Sequence, residues 1–131
     1  MSEREWVRAP RQARSQATLE RFVEAARELL EERSFEDITV ADIVSKAERT
    51  VGSFYARFED KYAVLHVLVD RFYQRMRDLV RSFCDPVRWE DASVAEFVSQ
   101  SVSLMVLAYR RSNPLYRAAL TAAVTDERFR E

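Results

Sequence analysis

The sequence predicts an all-α protein, and three observations carry that prediction. Its 131 residues include one glycine and three prolines, too few turn residues for a β-protein. Ala, Leu, Glu, Arg and Val dominate in their place. Apolar side chains recur at helical spacing, i, i+3, i+4 and i+7, through most of the chain. With 47% hydrophobic and 33% charged residues, the composition suits a globular protein and argues against disorder. The length suffices for one domain or for two small helical ones sharing a seam.

Residues 13–33 give the clearest signal. Leu19, Phe22, Val23, Ala26, Leu29 and Leu30 form one apolar stripe, with charges on the other side. Phe35 and Ile38 then return the chain to the core. Thr39 opens a second helix through "TVAD", a hydroxyl followed three residues on by an acid. Val40, Ile43 and Val44 are its apolar face, and it runs to about Ala47. Thr50 caps a third, short helix from Val51 to about Arg57, which Phe54 and Phe58 anchor. Three helices, the last two short and joined by a tight turn, form a helix-turn-helix unit.

Asp60 caps the next helix, 61–83, whose apolar spacing holds from Leu65 to Phe83. The loop "CDPVRWEDA" ends it. Ser93 and Glu96 form a full capping box for a helix to about Arg111, and Asn113-Pro114 reads as the cap and first residue of a separate helix over 114–124. "TDERFRE" looks like the first turn of a further helix. The domains expected are a basic arm at 1–12, a helix-turn-helix domain at 13–60 and a partial regulatory domain at 61–131, connected by helix 61–83.

Several function classes are disfavoured. Cys84 is the only cysteine, so the chain has no internal disulfide or Cys-based zinc site, and a reducing, cytoplasmic setting is expected. The N-terminus lacks the apolar core of a secretory signal, and no apolar run approaches the ~20 residues of a membrane span. The only histidine, His66, lies 18 positions from Cys84 on one helix, roughly 27 Å away; no nucleophile–base pair follows. Neither an enzyme activity, a metal nor a cofactor is expected.

The net charge of −1 argues against nucleic acid, but its distribution softens the objection. Arg4, Arg8, Arg11 and Arg14 recur near the N-terminus, and Lys46, Arg49, Arg57 and Lys61 recur around the third helix. The acids concentrate in the first helix and just after it. A helix-turn-helix reads DNA by placing the start of its second helix in the major groove. Thr50 and Ser53 are small donors there, Val51 can meet a thymine methyl, and the Tyr55 phenol suits a phosphate oxygen. Thr39 and Lys61, each at a helix start, can add phosphate contacts, with a smaller salt slope expected when the lysine is removed. Gly52, the only glycine, sits in the first turn of this helix, for close approach either to DNA or to another helix. Arg57 is either a DNA contact or a solvated surface arginine.

"TVADIVSKAERTVGSFYARFEDKYAVL" resembles the DNA-binding head of a TetR/AcrR-family transcriptional regulator. Thr39, Ile43, Ala47, Gly52, Ser53, Phe54, Tyr55, Phe58 and Lys61 fall on the family pattern, and the resemblance covers about residues 14–68. It implies a homodimeric, repressor-like regulator that binds a pseudo-palindromic double-stranded operator, with a small effector held in the C-terminal helical domain. His66, Tyr73, Met76, Trp89, Phe97, Met105 and Tyr109 are the candidates to line an apolar, aromatic effector pocket, against the plainer reading that they are core. The family turn usually reads Ala-Gly-Val-Ser; here it is Ala47-Glu48-Arg49-Thr50, which puts a non-glycine residue where the left-handed conformation is expected and frees Arg49 to turn toward phosphate. Family members are also longer, so the sequence is either a fragment or a shortened member, and its C-terminal helices are expected to expose apolar surface. The rival expectation is a helical protein–protein interaction module whose helix-turn-helix is only a packing unit.

Overall fold

A computed structural model describes residues 13–129, the side chains at 111 and 112 apart. The expected arm at 1–12, with Arg4, Arg8 and Arg11, lies outside the described residues. Five α-helices follow in order: α1 (Ala13–Glu32), α2 (Val40–Lys46), α3 (Val51–Tyr55), α4 (Lys61–Phe83) and α5 (Val94–Thr125). Short 3-10 turns occupy Phe35–Asp37, Pro86–Trp89 and Glu127–Phe129. No strand occurs among the described residues. Backbone contacts divide the chain into two units: one runs up to Arg71 and resumes at Pro114, the other is Phe72–Asn113.

The first unit is built around three rings. Phe22, Phe54 and Phe58 are wholly buried; Phe22 meets the other two edge-on, with centroids at 5.3 and 6.2 Å. Around them lie Leu19, Val23, Ala26 and Leu29 of α1, Ile43 and Val44 of α2, and Val64, Leu65 and Leu68 of α4. Phe35 and Ile38 are buried as expected. Removing one of these rings to alanine is worth about 3–5 kcal/mol. Ala118 and Ala122, four apart on α5, join the same core.

The helix ends follow the capping chemistry of the sequence. Thr39 and Asp42 form the box that opens α2, Asp60 accepts the Ala63 N–H at the start of α4, and Ser93 with Glu96 opens α5. Between α2 and α3, the Arg49 N–H donates to Val44 O and the Glu48 N–H to Ser45 O, both at 3.1 Å. This pair of bonds satisfies two terminal carbonyls of α2 and requires a left-handed residue at position 48. Glu48 takes that conformation, with φ 54°, although it is not a glycine. Two hydrogen bonds and the immediate start of α3 hold it there against about 1–2 kcal/mol of steric cost.

The sequence reading fails at Pro114. The expected break between helices at 93–111 and 114–124 does not occur: α5 runs unbroken from Val94 to Thr125, with Pro114 inside. Proline's fixed φ is compatible with a helix, and what it removes is one backbone donor and some steric room. An Asn-Pro pair reads identically as a helix start and as an interruption. The loop after α4 is likewise more regular than expected, since Asp85 caps a 3-10 turn over Pro86–Trp89.

The second unit is small and open. Phe83, Trp89 and Phe97 meet pairwise with centroids 4.9–5.7 Å apart, and the Trp89 indole N–H donates to Phe83 O. A cleft of about 290 Å³ adjoins this cluster, lined by Leu79, Ser82, Phe83, Arg88, Gln100, Ser103, Leu104 and Leu107. Val94, Val102 and Met105 are more than half exposed, in line with the apolar surface expected of the C-terminal helices.

His66 belongs to the first unit. It is buried and stacked on Phe129, with centroids 3.5 Å apart. Arg128 beside it donates to Asp126 and to Asp60. Burial, reinforced by the Arg128 charge, pushes the His66 pKa down to about 4 against the opposite pull of Asp126 and Asp60.

Two predictions follow from these features. Replacing Glu48 by glycine should raise the unfolding free energy by about 1 kcal/mol, while Glu48→Ala gives no such gain; equal denaturation midpoints for the two variants would show that position 48 carries no strain. His66 is neutral in the folded protein and protonates near 6.5 when unfolded. Its contribution to stability is therefore complete above that pH and is lost as pH falls from 6.5 toward 4. Denaturant titrations across this window should show a shallower pH dependence for His66→Phe than for the unmodified chain.

Candidate nucleic-acid interface

The third helix, α3, has five residues, far below the length at which a helix is stable alone. Its shape is imposed from both ends and from beneath. Thr50 Oγ1 accepts the Ser53 N–H at 3.2 Å, and Ser53 Oγ donates back to Thr50 O at 2.8 Å. Phe54 fixes which side faces inward. The other side is then exposed: Thr50, Val51, Gly52 and Tyr55 all face solvent, with Val51 at 51% and Tyr55 at 46%. An exposed valine and tyrosine beside two small hydroxyl residues make a surface able to donate, accept and meet a methyl group.

Gly52 is not a packing glycine among the described residues. A Cβ built on it would have nothing within 4 Å, so no neighbouring helix requires the missing side chain. Within the head, glycine at this position serves no packing purpose.

The charged residues fall differently from the expectation. Arg49 is exposed, and its guanidinium donates to Glu48 O at 2.9 Å in its own turn. Lys46 is paired with Glu32 at 2.7 Å and Glu28 at 3.4 Å, on the acidic side of α1. Arg57 is neither a solvated arginine nor turned outward. It donates from Nε to Ser15 O at 3.2 Å, from Nη2 to Ser15 Oγ at 3.2 Å and from Nη1 to Ser53 O at 2.7 Å. Lys61 also turns inward: its ammonium donates to Phe35 O, Glu36 O and Ile38 O at 3.0, 3.2 and 2.8 Å. Burial lowers its pKa, with Glu36 and Asp37 pulling the other way. Thr39 is exposed, but its hydroxyl donates to Asp42 Oδ2 at 2.7 Å, and its two hydrogen bonds hold the Asp42 carboxyl below the usual carboxylate range.

The nominated set therefore splits. Thr39, Arg49, Thr50, Val51, Gly52 and Tyr55 are exposed and Ser53 is half-buried among them, whereas Arg57 and Lys61 serve the interior. Sequence reasoning missed Ser15, the partner of Arg57. The two are 42 positions apart, and a serine near the start of a helix carries no signal of that contact.

The effector-pocket candidates do not come together as one set. His66 packs on Phe129 in the first unit. In the second, Trp89 and Phe97 sit against Phe83, which lines the cleft, while Tyr73, Met105 and Tyr109 are at least 60% exposed and Met76 is half-buried. The cleft residues Leu79, Ser82, Arg88 and Gln100 were not nominated, because on a helix surface nothing in their spacing distinguishes them. No cluster of three metal-ligating side chains occurs among the described residues, Cys84 is exposed, and no described helix is long and apolar enough to cross a membrane.

Comparison with known proteins bears on the same segment. Residues 22–68 match the family described as bacterial regulatory proteins, tetR family, a span that closes on Leu68, a core residue of the first unit. The chain is 36% identical over 86 residues to an uncharacterized HTH-type transcriptional regulator, YdgC, of Bacillus subtilis (strain 168). That alignment takes in 66% of this chain and 42% of the relative, so the chain spans less than half of the relative's length. No solved structure gives a significant match. The helix-turn-helix segment, residues 22–68, matches the tetR family of bacterial regulatory proteins.

Proposed function

We propose that the chain is the DNA-binding part of a sequence-specific transcriptional regulator, acting as a repressor, that works in the cytoplasm as a homodimer on a pseudo-palindromic operator. The observation that carries this reading is the outer side of α3: Thr50, Val51, Gly52 and Tyr55 exposed around Ser53, on a helix whose inner residue, Phe54, is wholly buried. Val51 and Ser53 would read base edges, and Tyr55 would donate to a phosphate oxygen. Arg49 would add a phosphate contact from the turn, and Thr39 would add another from the start of α2.

The regulatory part of the reading rests on the second unit. Its cleft combines apolar walls with Arg88 and Gln100, which are hydrogen-bonded to each other at 3.2 Å, a lining suited to a small, largely apolar effector. The exposed apolar residues of α5 supply surface for pairing with a second copy.

Gel-shift titration at low salt against duplexes from the region upstream of the gene tests the central claim. Undetectable binding to any duplex would leave the helix-turn-helix as a packing unit of an interaction module. With binding established, Tyr55→Ala should weaken it roughly tenfold on every sequence, while changes at Val51 and Ser53 should alter which sequence is preferred. Gly52→Ala separates the two roles of the glycine: the isolated protein should gain up to about 1 kcal/mol of stability, and DNA binding should fall. For the effector, thermal-shift screening should find a ligand giving about 2.7 kcal/mol of stabilisation at a hundredfold excess over Kd.

A further inference from the structure

Two cations that the sequence would assign to the DNA backbone are turned to partners inside the head. Lys61 has three N–H donors and three carbonyls to receive them, those of Phe35, Glu36 and Ile38. Those carbonyls belong to the 3-10 turn that joins α1 to α2 and to the residue that follows it. The ammonium also lies over the Phe35 ring, 4.7 Å from its centroid. Swinging it to a phosphate would strip three carbonyls of a donor and uncover an aromatic face. Arg57 is comparably engaged. Its backbone N–H donates to Phe54 O, while its guanidinium takes Ser53 O at the end of α3 and both oxygens of Ser15 on α1. One residue thereby satisfies a terminal carbonyl of the recognition helix and ties that helix to the first helix of the head.

We propose that Lys61 and Arg57 are positioning residues, which fix the turn before α2 and the end of α3 from inside the head and add no charge to the DNA contact. The proposal rests on the DNA-binding reading, and it changes what that reading predicts. A side chain that neutralises a phosphate releases a counterion, so its removal lowers the salt slope of binding by about 0.9. A side chain that only places the helix changes affinity and leaves the slope where it was.

The test uses the full chain and a mixed-sequence DNA duplex, with affinities measured over a salt series for Lys61→Met, Lys61→Arg, Arg57→Met and Arg57→Lys. Amide hydrogen exchange is followed in parallel without DNA. All four variants should keep the slope of the unmodified protein and bind roughly tenfold more weakly, the loss expected for one misplaced hydrogen-bonding contact. The charge-retaining variants should not rescue. A guanidinium's planar fork does not fit three carbonyls converging on one point, and an ammonium cannot span Ser15 and Ser53 as the fork does. In Lys61→Met the amides of Asp37 and Ile38, which close the 3-10 turn, should exchange roughly tenfold faster.

A slope reduced by about 0.9 in the methionine variants, with binding restored by the charge-retaining ones, would overturn the proposal. So would unchanged exchange at Asp37 and Ile38 in Lys61→Met, a result that needs no DNA. If the unmodified chain binds no duplex at low salt, the DNA-binding reading falls, and the exchange measurement still decides whether Lys61 holds the turn.

Discussion

The head depends on a helix too short to exist alone. Five residues of α3 give little more than one turn, and helix nucleation in water is unfavourable until many more bonds follow. The burial of Phe54 and of Phe58 just beyond it, both against Phe22, supplies what the backbone lacks. The rest of the head completes that arrangement. Thr50 starts the helix, the turn at Glu48 aims it, and Arg57 closes it onto α1. On the outward side of α3, Val51 and Gly52 are left exposed, beside a Thr50 that caps the helix and a Tyr55 that meets the Phe54 ring edge-on.

Legibility in the sequence followed physical range. The aromatic anchors, the helices of the head and the capping residues Thr39, Thr50, Asp60 and Ser93 were readable, because each rests on spacing within a few residues. The left-handed position at 48 was readable only through the family resemblance, whose turn carries glycine there; the turn bonds that demand it appear in the structure. Arg57 and Lys61 were not, because their partners lie 42 and up to 26 positions away, and a charge in a basic neighbourhood looks alike whether it faces solvent or the core. Pro114 was misread since the dipeptide is ambiguous and only the structure shows which helix surrounds it.

The two units contrast in how they spend apolar side chains. In the first, a compact set of rings and aliphatic residues is fully covered. In the second, Phe83, Trp89 and Phe97 form an aromatic cluster, while Val94, Val102 and Met105 remain more than half exposed. The core of the first unit, by contrast, draws on α5 as well as on the helix-turn-helix, through Ala118 and Ala122.

Gly52 has a consequence for how this protein tolerates change. Nothing in the folded chain opposes a side chain at that position, and helix propensity favours one. Selection or engineering for heat resistance alone would fill it early and record an improvement. If the proposed DNA contact holds, a library sorted by folding and one sorted by binding should diverge first at this residue.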